Sequence, residues 1–469
     1  MSGIFELTEL KDRIIIAGGG LVGGVAAAML ADKGHQIDLY ELRDDPRNEN
    51  AAAGRSINLS LSHRGMRSLR QIGMEEECLA NGVKMPARMI HKVSGETYEV
   101  PYGRTKEHFI LSISRLRLNQ MILTAAEKRE NVNLHFNHRI TDVDLSGTLK
   151  FSDKPDASGD VLIGADGAYS KVRSKMARGV FDFSQTYIPH GYKELVMDKA
   201  ENGDWRLPKN YLHIWPRGQF MMIALPNLDG SFTCTLFLPF EMFKTIETQE
   251  SGIAFMEEHF PDSISIFGRD NLMKQFGPGT TPGLPMISVK TSPHSVDNTV
   301  IVGDAAHAIV PFYGQGMNAG MEDIAVLMDT YAKHNDLKSA IKEYGVFRPK
   351  DAHAIADLAM YNYIEMRDLV TSNWFLFRRS LDRLLATVLP GSVIPLYEMV
   401  VFRPQMGYSN AIERNKKQST MIDWTLAAAA TASLAFALKK LTREGTLSSL
   451  QFDKLSIGSA QDFVSSLLK

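Results

Sequence analysis

Gly18, Gly20 and Gly23 stand at the G-x-G-x-x-G spacing, between the apolar run Ile14-Ile15-Ile16-Ala17 and a small-residue apolar segment over 22–33. In such a motif the first glycine makes a tight turn, the second lets the backbone approach a pyrophosphate, and the third lets helix pack on strand. A helix beginning there aims unpaired N–H groups and a partial positive charge at phosphates. Gly34 stops the helix, and a second strand over 37–40 ends in Glu41, where an acidic side chain can hold a ribose hydroxyl. The spacing predicts a dinucleotide site; a strand–turn–helix unit without a ligand is the competing reading.

Two glycine–aspartate pairs extend the pattern. Asp166-Gly167 follows the apolar run 161–164, at the carboxyl end of a predicted strand, where open α/β sheets bind ligands. Gly303-Asp304 closes a second buried run, 299–302, and a glycine-rich loop then feeds a predicted helix over 318–334. The backbone at 316–318 would form that helix's N-terminus, a place suited to negative charge. His307 in the loop reads as structural, since a lone histidine more often packs than reacts.

Two sequence segments, 88–93 and 97–102, flank Ser94-Gly95-Glu96 as a hairpin. Arg88 and Tyr102 then fall together at its open end, either as a carboxylate clamp of N–H and O–H donors or as an arginine stacked on a ring. Ser114 is a plausible N-cap for a helix with apolar residues at Leu118, Met121, Ile122 and Ala125. Arg115 in its first turn needs an anion opposite, either a cofactor phosphate or a local acidic side chain. Arg55 faces the same choice between phosphates and a carboxylate partner.

These residues must be carried by two kinds of sheet. The strand–helix alternation up to about residue 180 predicts an α/β unit. Strands over 187–197, 211–215, 219–226 and 231–239, with a turn at 227–230, predict a mostly antiparallel sheet. Met221, Met222, Trp215 and Phe237 are expected in its core. Residues 340–410 read as helical, with the aromatic, sulfur-rich stretch 360–367 expected to pack. The expected organisation is a Rossmann-like FAD-binding domain (11–86, 103–180, 289–340), a substrate domain (87–102, 181–288), a helical region (341–410) and a candidate membrane-anchor tail (411–469). The tail holds an alanine-rich apolar run, 421–438, interrupted by Asp423 and bracketed by lysines. It is marginal for a span of about 20 apolar residues, and an interfacial or soluble helix competes.

Bulk composition narrows the rest. A net charge of −2 offers no basic field for nucleic acid. Two cysteines without a CxxC exclude a disulfide framework and a thiolate metal site, and no metal is expected. The N-terminal residues show no signal or transit pattern.

Gly18, Gly20 and Gly23 with Glu41, Asp166-Gly167 and Gly303-Asp304 together resemble the single-component FAD-dependent aromatic hydroxylases. The stretches 211–216, 232–237, 303–320 and 360–367 narrow the resemblance, over roughly the first 410 positions, to the animal branch that acts on L-kynurenine. It implies FAD as bound cofactor and L-kynurenine, NADPH and O2 as substrates. The implied reaction is hydroxylation to 3-hydroxy-L-kynurenine through a flavin C4a-hydroperoxide, in tryptophan degradation towards quinolinate and NAD. No acid–base residue is required.

The resemblance also implies roles. Gly18, Gly20, Val22, Gly23, Tyr40, Glu41, Arg43, Arg55, Ser60, Arg115, Ile140, Asp166, Lys171, Asp304, Gly316, Met317 and Asn318 would border FAD. Arg88, Tyr102, Asn362 and Tyr397 would take the substrate, and Pro311-Phe312 would wall the flavin. Tyr313 replaces the phenylalanine usual in the family, which predicts a more polar pocket edge. Membrane attachment at the mitochondrial outer membrane, with the catalytic part facing the cytosol, is implied through the tail. NADPH has no fingerprint of its own. Two other readings remain open: an FAD-dependent hydroxylase of another aromatic acid, and a membrane-tethered FAD-containing binding protein.

Overall fold

A computed structural model describes residues 11–48, 58–103, 105–280, 283–367, 373–389 and 391–443. It divides into two units, residues 1–412 and 413–469. In the first unit, the apolar run becomes the strand Arg13–Ala17, buried but for Arg13. It pairs in parallel with Gln36–Tyr40 on one side and Val161–Gly164 on the other. Val132–His135 and Thr299–Ile301 extend this parallel sheet, and Ser295–Val296 closes one edge antiparallel. The fingerprint helix runs Leu21–Ala31 and is buried almost all round, as a helix between sheet and covering helices must be. The helices Arg115–Glu127 and Gly316–His334 pack against it.

The second sheet has seven strands and is antiparallel except where Tyr211–Arg217 runs parallel to Ala87–His91. That junction brings the hairpin Ala87–His91/Thr97–Pro101 onto the sheet. Strand period divides the sheet's residues between two faces. Trp215, Met222, Cys234, Leu236 and Leu238 enter one core, as expected for Trp215 and Met222. Met221 and Phe237, also expected as core, stand one position out of phase and enter a second buried cluster on the other face, where they also line a cavity.

The first face is covered by four helices that the strand reading of 181–288 did not anticipate: Phe240–Phe243, Gln249–His259, Pro261–Phe267 and Arg269–Met273. They are short, and Ile253, Met256 and Phe260 supply the helical-period apolar contacts. Beneath them His213 joins a polar chain: its Nε2 faces the Pro208 carbonyl at 2.8 Å, and its Nδ1 lies 2.9 Å from His91 Nε2. His91 in turn faces Asp262, which accepts from the Trp215 indole at 2.6 Å.

The helices Leu337–Arg367, Asn373–Val388 and Leu396–Phe402 form the expected helical region. The helix Tyr408–Arg443 carries the apolar tail segment and is the one described helix long and apolar enough to cross a membrane. Its window has a mean hydropathy of 1.2 and is only 6% buried.

Burial lowers the His213 imidazole to about 4, so the folded protein keeps it neutral where an unfolded chain protonates near 6.5. Between those values the unfolded state binds more protons, and stability falls as pH falls. Urea unfolding at pH 7 and pH 5 should show a loss of about 2 kcal/mol from this group. A profile flat across that window would contradict the neutral, buried assignment.

Candidate active site

The fingerprint turn is built from steric necessity. Gly18 has φ +106°, and a Cβ there would stand 2.4 Å from the Ala165 carbonyl oxygen; at Gly23 a Cβ would meet the Gly18 carbonyl oxygen at 1.9 Å. Gly20 faces open space, leaving its backbone accessible. Glu41 accepts from the Gly19 N–H at 2.8 Å and the Arg43 N–H at 2.9 Å, which fixes its carboxylate beside the turn. Val22 packs near Gly303 and Gly320, so it joins the fingerprint to the second glycine–aspartate loop. Tyr40 stacks on His135 with 4.5 Å between centroids. Arg43 is exposed, Ile140 begins a strand beside the Tyr40 cluster, and Arg55 lies outside the described residues.

Asp166 accepts from the Lys171 and Val172 N–H groups through one oxygen, while its buried Oδ1 has no partner among the described residues. Burial raises its carboxyl above the ordinary value. Arg173 bridges the two aspartate loops, donating to the carbonyls of Ala168 and Ala305. Asp304 is exposed at the loop surface, yet the protein packed around it raises its carboxyl above the ordinary value, and Arg115, at its helix start after the Ser114 cap, opposes that rise. Open glycine backbone and an orphaned carboxylate oxygen fit a ligand rich in hydroxyls and phosphates.

The loop after Asp304 ends in the turn Pro311–Tyr313 and the helix Gly316–His334. The first N–H groups of that helix have no intrahelical acceptor. Asn318 is fully engaged: its amide donates to the Ser60 and Gly314 carbonyls and accepts from the Ser62 N–H at 2.8 Å. It therefore locks the helix start to the strand carrying Ser60. Met317 packs against the neighbouring core.

Below this loop lies a buried ionic cluster that the sequence did not announce. Asp323 accepts from the Gly303 N–H at 2.8 Å, bonds His307 at 2.6 Å and pairs with Arg348 at 2.8 Å. Arg348 reaches Glu322, and Glu322 pairs with Arg64. Arg64 donates to main-chain carbonyls of Met399, Val400, Arg403 and Met406. Burial alone would raise the Asp323 carboxyl, but His307 and Arg348 hold it well below the usual carboxylate range. His307 is structural, as expected.

A cavity opens between the Pro311–Tyr313 turn and the second sheet. Leu212, Ile214, Met221, Ile223 and Phe237 line its sheet side, and Ser60, Arg88, Ile110, Tyr397 and the turn residues 311–315 line the rest. The structure brings Arg88, Tyr102 and Tyr397 together. The Arg88 guanidinium lies 5.1 Å from the Tyr102 ring and 4.5 Å from the Tyr397 ring, and the two tyrosines stack at 5.3 Å. Arg88 Nε and the Tyr102 hydroxyl are buried without partners among the described residues, a costly state unless a ligand satisfies them. Asn362 is placed differently: its amide donates to the Phe312 carbonyl at 2.7 Å, so it braces the turn. Tyr313 stacks on Tyr397 at 5.6 Å, continuing the row of rings.

Gln315, Leu212, Ile214 and Ile223 carry no mark in the sequence that sets them apart as cavity residues. The alternation of 212/214 and 221/223 was the available signal, but only the opposite core tells which phase faces the cavity.

Fold and fingerprint define a flavoprotein of the FAD-binding class: residues 11–341 match the family described as FAD binding domain. Solved structures of similar fold include P. aeruginosa PqsL in complex with 2-aminobenzoylacetate (TM-score 0.63, 19% identity, covering 76% of this chain and 97% of that one). A single-substitution variant of Klebsiella pneumoniae HpxO complexed with FAD is another (TM-score 0.62, 21% identity, 81% and 99%). Closer in sequence are the kynurenine 3-monooxygenases of Sus scrofa, 48% identical over 89% of each chain, and Anopheles gambiae, 46% identical over 90% of this chain and 88% of that one. The chain belongs to the kynurenine 3-monooxygenase family.

Arg348→Met should destabilise the protein by about 3–5 kcal/mol in urea unfolding, because it leaves Asp323 and Glu322 buried with unbalanced charge. A change under about 1 kcal/mol would show that the cluster does not hold the loop.

Proposed function

We propose that the protein hydroxylates L-kynurenine with NADPH and O2, giving 3-hydroxy-L-kynurenine, NADP+ and water. The observation that carries this reading is a single cation, Arg88, half-buried beside two tyrosines, its Nε enclosed, at the wall of an otherwise largely apolar cavity. Arg88 and the hydroxyls of Tyr102 and Tyr397 bind the amino-acid carboxylate, a charge-assisted contact strengthened by the low local dielectric. Leu212, Ile214, Met221, Ile223, Phe237 and Phe312 surround the aniline ring and exclude water. Asn362 keeps Phe312 in place through its carbonyl. FAD supplies the oxygen-activating redox chemistry when bound. Gly18, Gly20, Gly23 and Glu41 would hold its adenosine diphosphate half, and Asp166 and Asp304 would accept from its hydroxyls. The N–H groups at 316–318 would offset negative charge on its ring system.

Among the described residues the cavity lining contains no histidine, carboxylate or lysine. A substrate whose ring is already activated by an amino group needs no base; a phenol does. This favours an aniline substrate over a phenolic acid. Oxygen-dependent NADPH consumption should rise on adding L-kynurenine, with 3-hydroxy-L-kynurenine formed. Arg88→Ala should weaken kynurenine binding by about 2–4 kcal/mol while FAD stays bound. Stimulation yielding only peroxide, or an affinity changed less than about threefold, would overturn the substrate assignment.

The same reading places the protein at the mitochondrial outer membrane, catalytic part towards the cytosol, through the apolar helix near the C-terminus. Its support is the long, exposed, alanine-rich window of Tyr408–Ala437. A soluble reporter fused to residues 411–469 should become membrane-bound; a reporter that stays in the cytosol refutes the anchor.

A further inference from the structure

Among the described residues the cavity wall holds one amide side chain, and its orientation is set from outside the cavity. Gln315 follows Gly314 (φ +65°), is only 2% exposed and lines the cavity beside Tyr313. Its backbone carbonyl accepts the Ala319 N–H at 2.8 Å, which ties its main chain to the helix Gly316–His334. Its side-chain Oε1 accepts from the Tyr408 hydroxyl at 3.2 Å, while its Nε2 donates to no group among the described residues. An amide carries an acceptor on one side and two donors on the other. The last torsion of glutamine is broad and roughly two-fold, so nothing within the side chain stops the two ends from exchanging. Anchoring the oxygen removes that freedom and turns the donors away from Tyr408.

Tyr408 is itself held firmly. It opens the helix Tyr408–Arg443 and is fully buried, unlike the apolar window further along. The Arg64 guanidinium stands 4.0 Å from its ring centre, a cation–π contact that also polarises the phenol towards donating. The next residue, Ser409, bonds Asp351 through its N–H at 2.9 Å and its hydroxyl at 2.6 Å. One turn on, Ala411 enters the same buried cluster as Phe312 and Tyr313. The first turn of the C-terminal helix is therefore packed against the turn that walls the cavity, and its phenol reaches the one amide there.

We propose that Tyr408 is a positioning residue for the reaction: without touching substrate, its hydroxyl holds the Gln315 amide with the N–H donors towards the cavity. The proposal rests on the hydroxylase reading above. It is tested on the full, FAD-loaded chain by titrating the oxidised enzyme with L-kynurenine and following flavin absorbance. Tyr408→Phe removes one oxygen and keeps the ring against Arg64. It should weaken kynurenine binding about fivefold, the worth of one neutral hydrogen bond, with flavin content unaltered. Gln315→Leu should weaken binding at least as much. Adding Tyr408→Phe to Gln315→Leu should then change affinity by less than about 1.5-fold, because the hydroxyl acts only through the amide. A merely structural role for Tyr408 would lower the urea midpoint in both backgrounds and weaken kynurenine equally in both, or not at all. Either of those results overturns the proposal, as does a Gln315→Leu affinity within about twofold of wild type, a result that can be read even if Tyr408→Phe fails to load flavin. All three leave the hydroxylase reading intact. Wild-type protein that consumes no more NADPH with L-kynurenine than without it overturns that reading and the proposal with it.

Discussion

The carboxylate of Asp323 is the constraint on which the site depends. It sits fully buried and is satisfied from three directions, by the Gly303 amide, His307 and Arg348. An isolated buried carboxylate would cost several kcal/mol, so each partner is held as firmly as the charge itself. The Gly303 amide starts the loop that presents Asp304. Arg348 carries the constraint to Glu322, and Arg64 carries it on to the carbonyls around Leu396–Phe402, the helix that bears Tyr397. One cluster thus sets the distance between cofactor loop and substrate wall. Buried ion pairs seldom add net stability, but they penalise every arrangement that breaks them. That serves a site in which reacting groups must meet with sub-ångström tolerance.

The parts of this architecture that could be read from the sequence are those in which a local steric rule decides. A turn whose Cβ positions collide with backbone demands glycine, and Gly18 and Gly23 declare it. The hairpin that carries Arg88 to Tyr102 is likewise local, since turn length fixes which residues face one another. Tyr397 was reached only through family resemblance; its place beside Arg88 depends on a helix some three hundred positions away.

The parts that stayed hidden require tertiary knowledge. Arg64, His307, Asp323 and Arg348 look in sequence like ordinary surface charges and a spare histidine, and only folding brings them to one buried point. The four short helices over 240–273 lack the length for a clear periodic signal. Asn362 shows a subtler gap: residue type suggests a polar hand for a ligand, and only the fold shows that one of its amide N–H groups braces the Phe312 carbonyl. Side-chain chemistry names what a residue can bond, and neighbours decide what it does bond.

The second sheet separates two kinds of information along the same strands. At Met221 and Met222 neighbouring residues of identical type face a reactive cavity and a stabilising core respectively. Substitutions at 212, 214, 221, 223 and 237 can reshape the cavity without opening voids in the Trp215 core, because their side chains never enter it. Heritable change is thereby sorted by parity of position: one set of sites is free to explore new aromatic substrates while its interleaved set preserves foldability. A two-faced strand is in this sense a device for evolvability, allowing one scaffold to diversify its chemistry without repeatedly risking its own collapse.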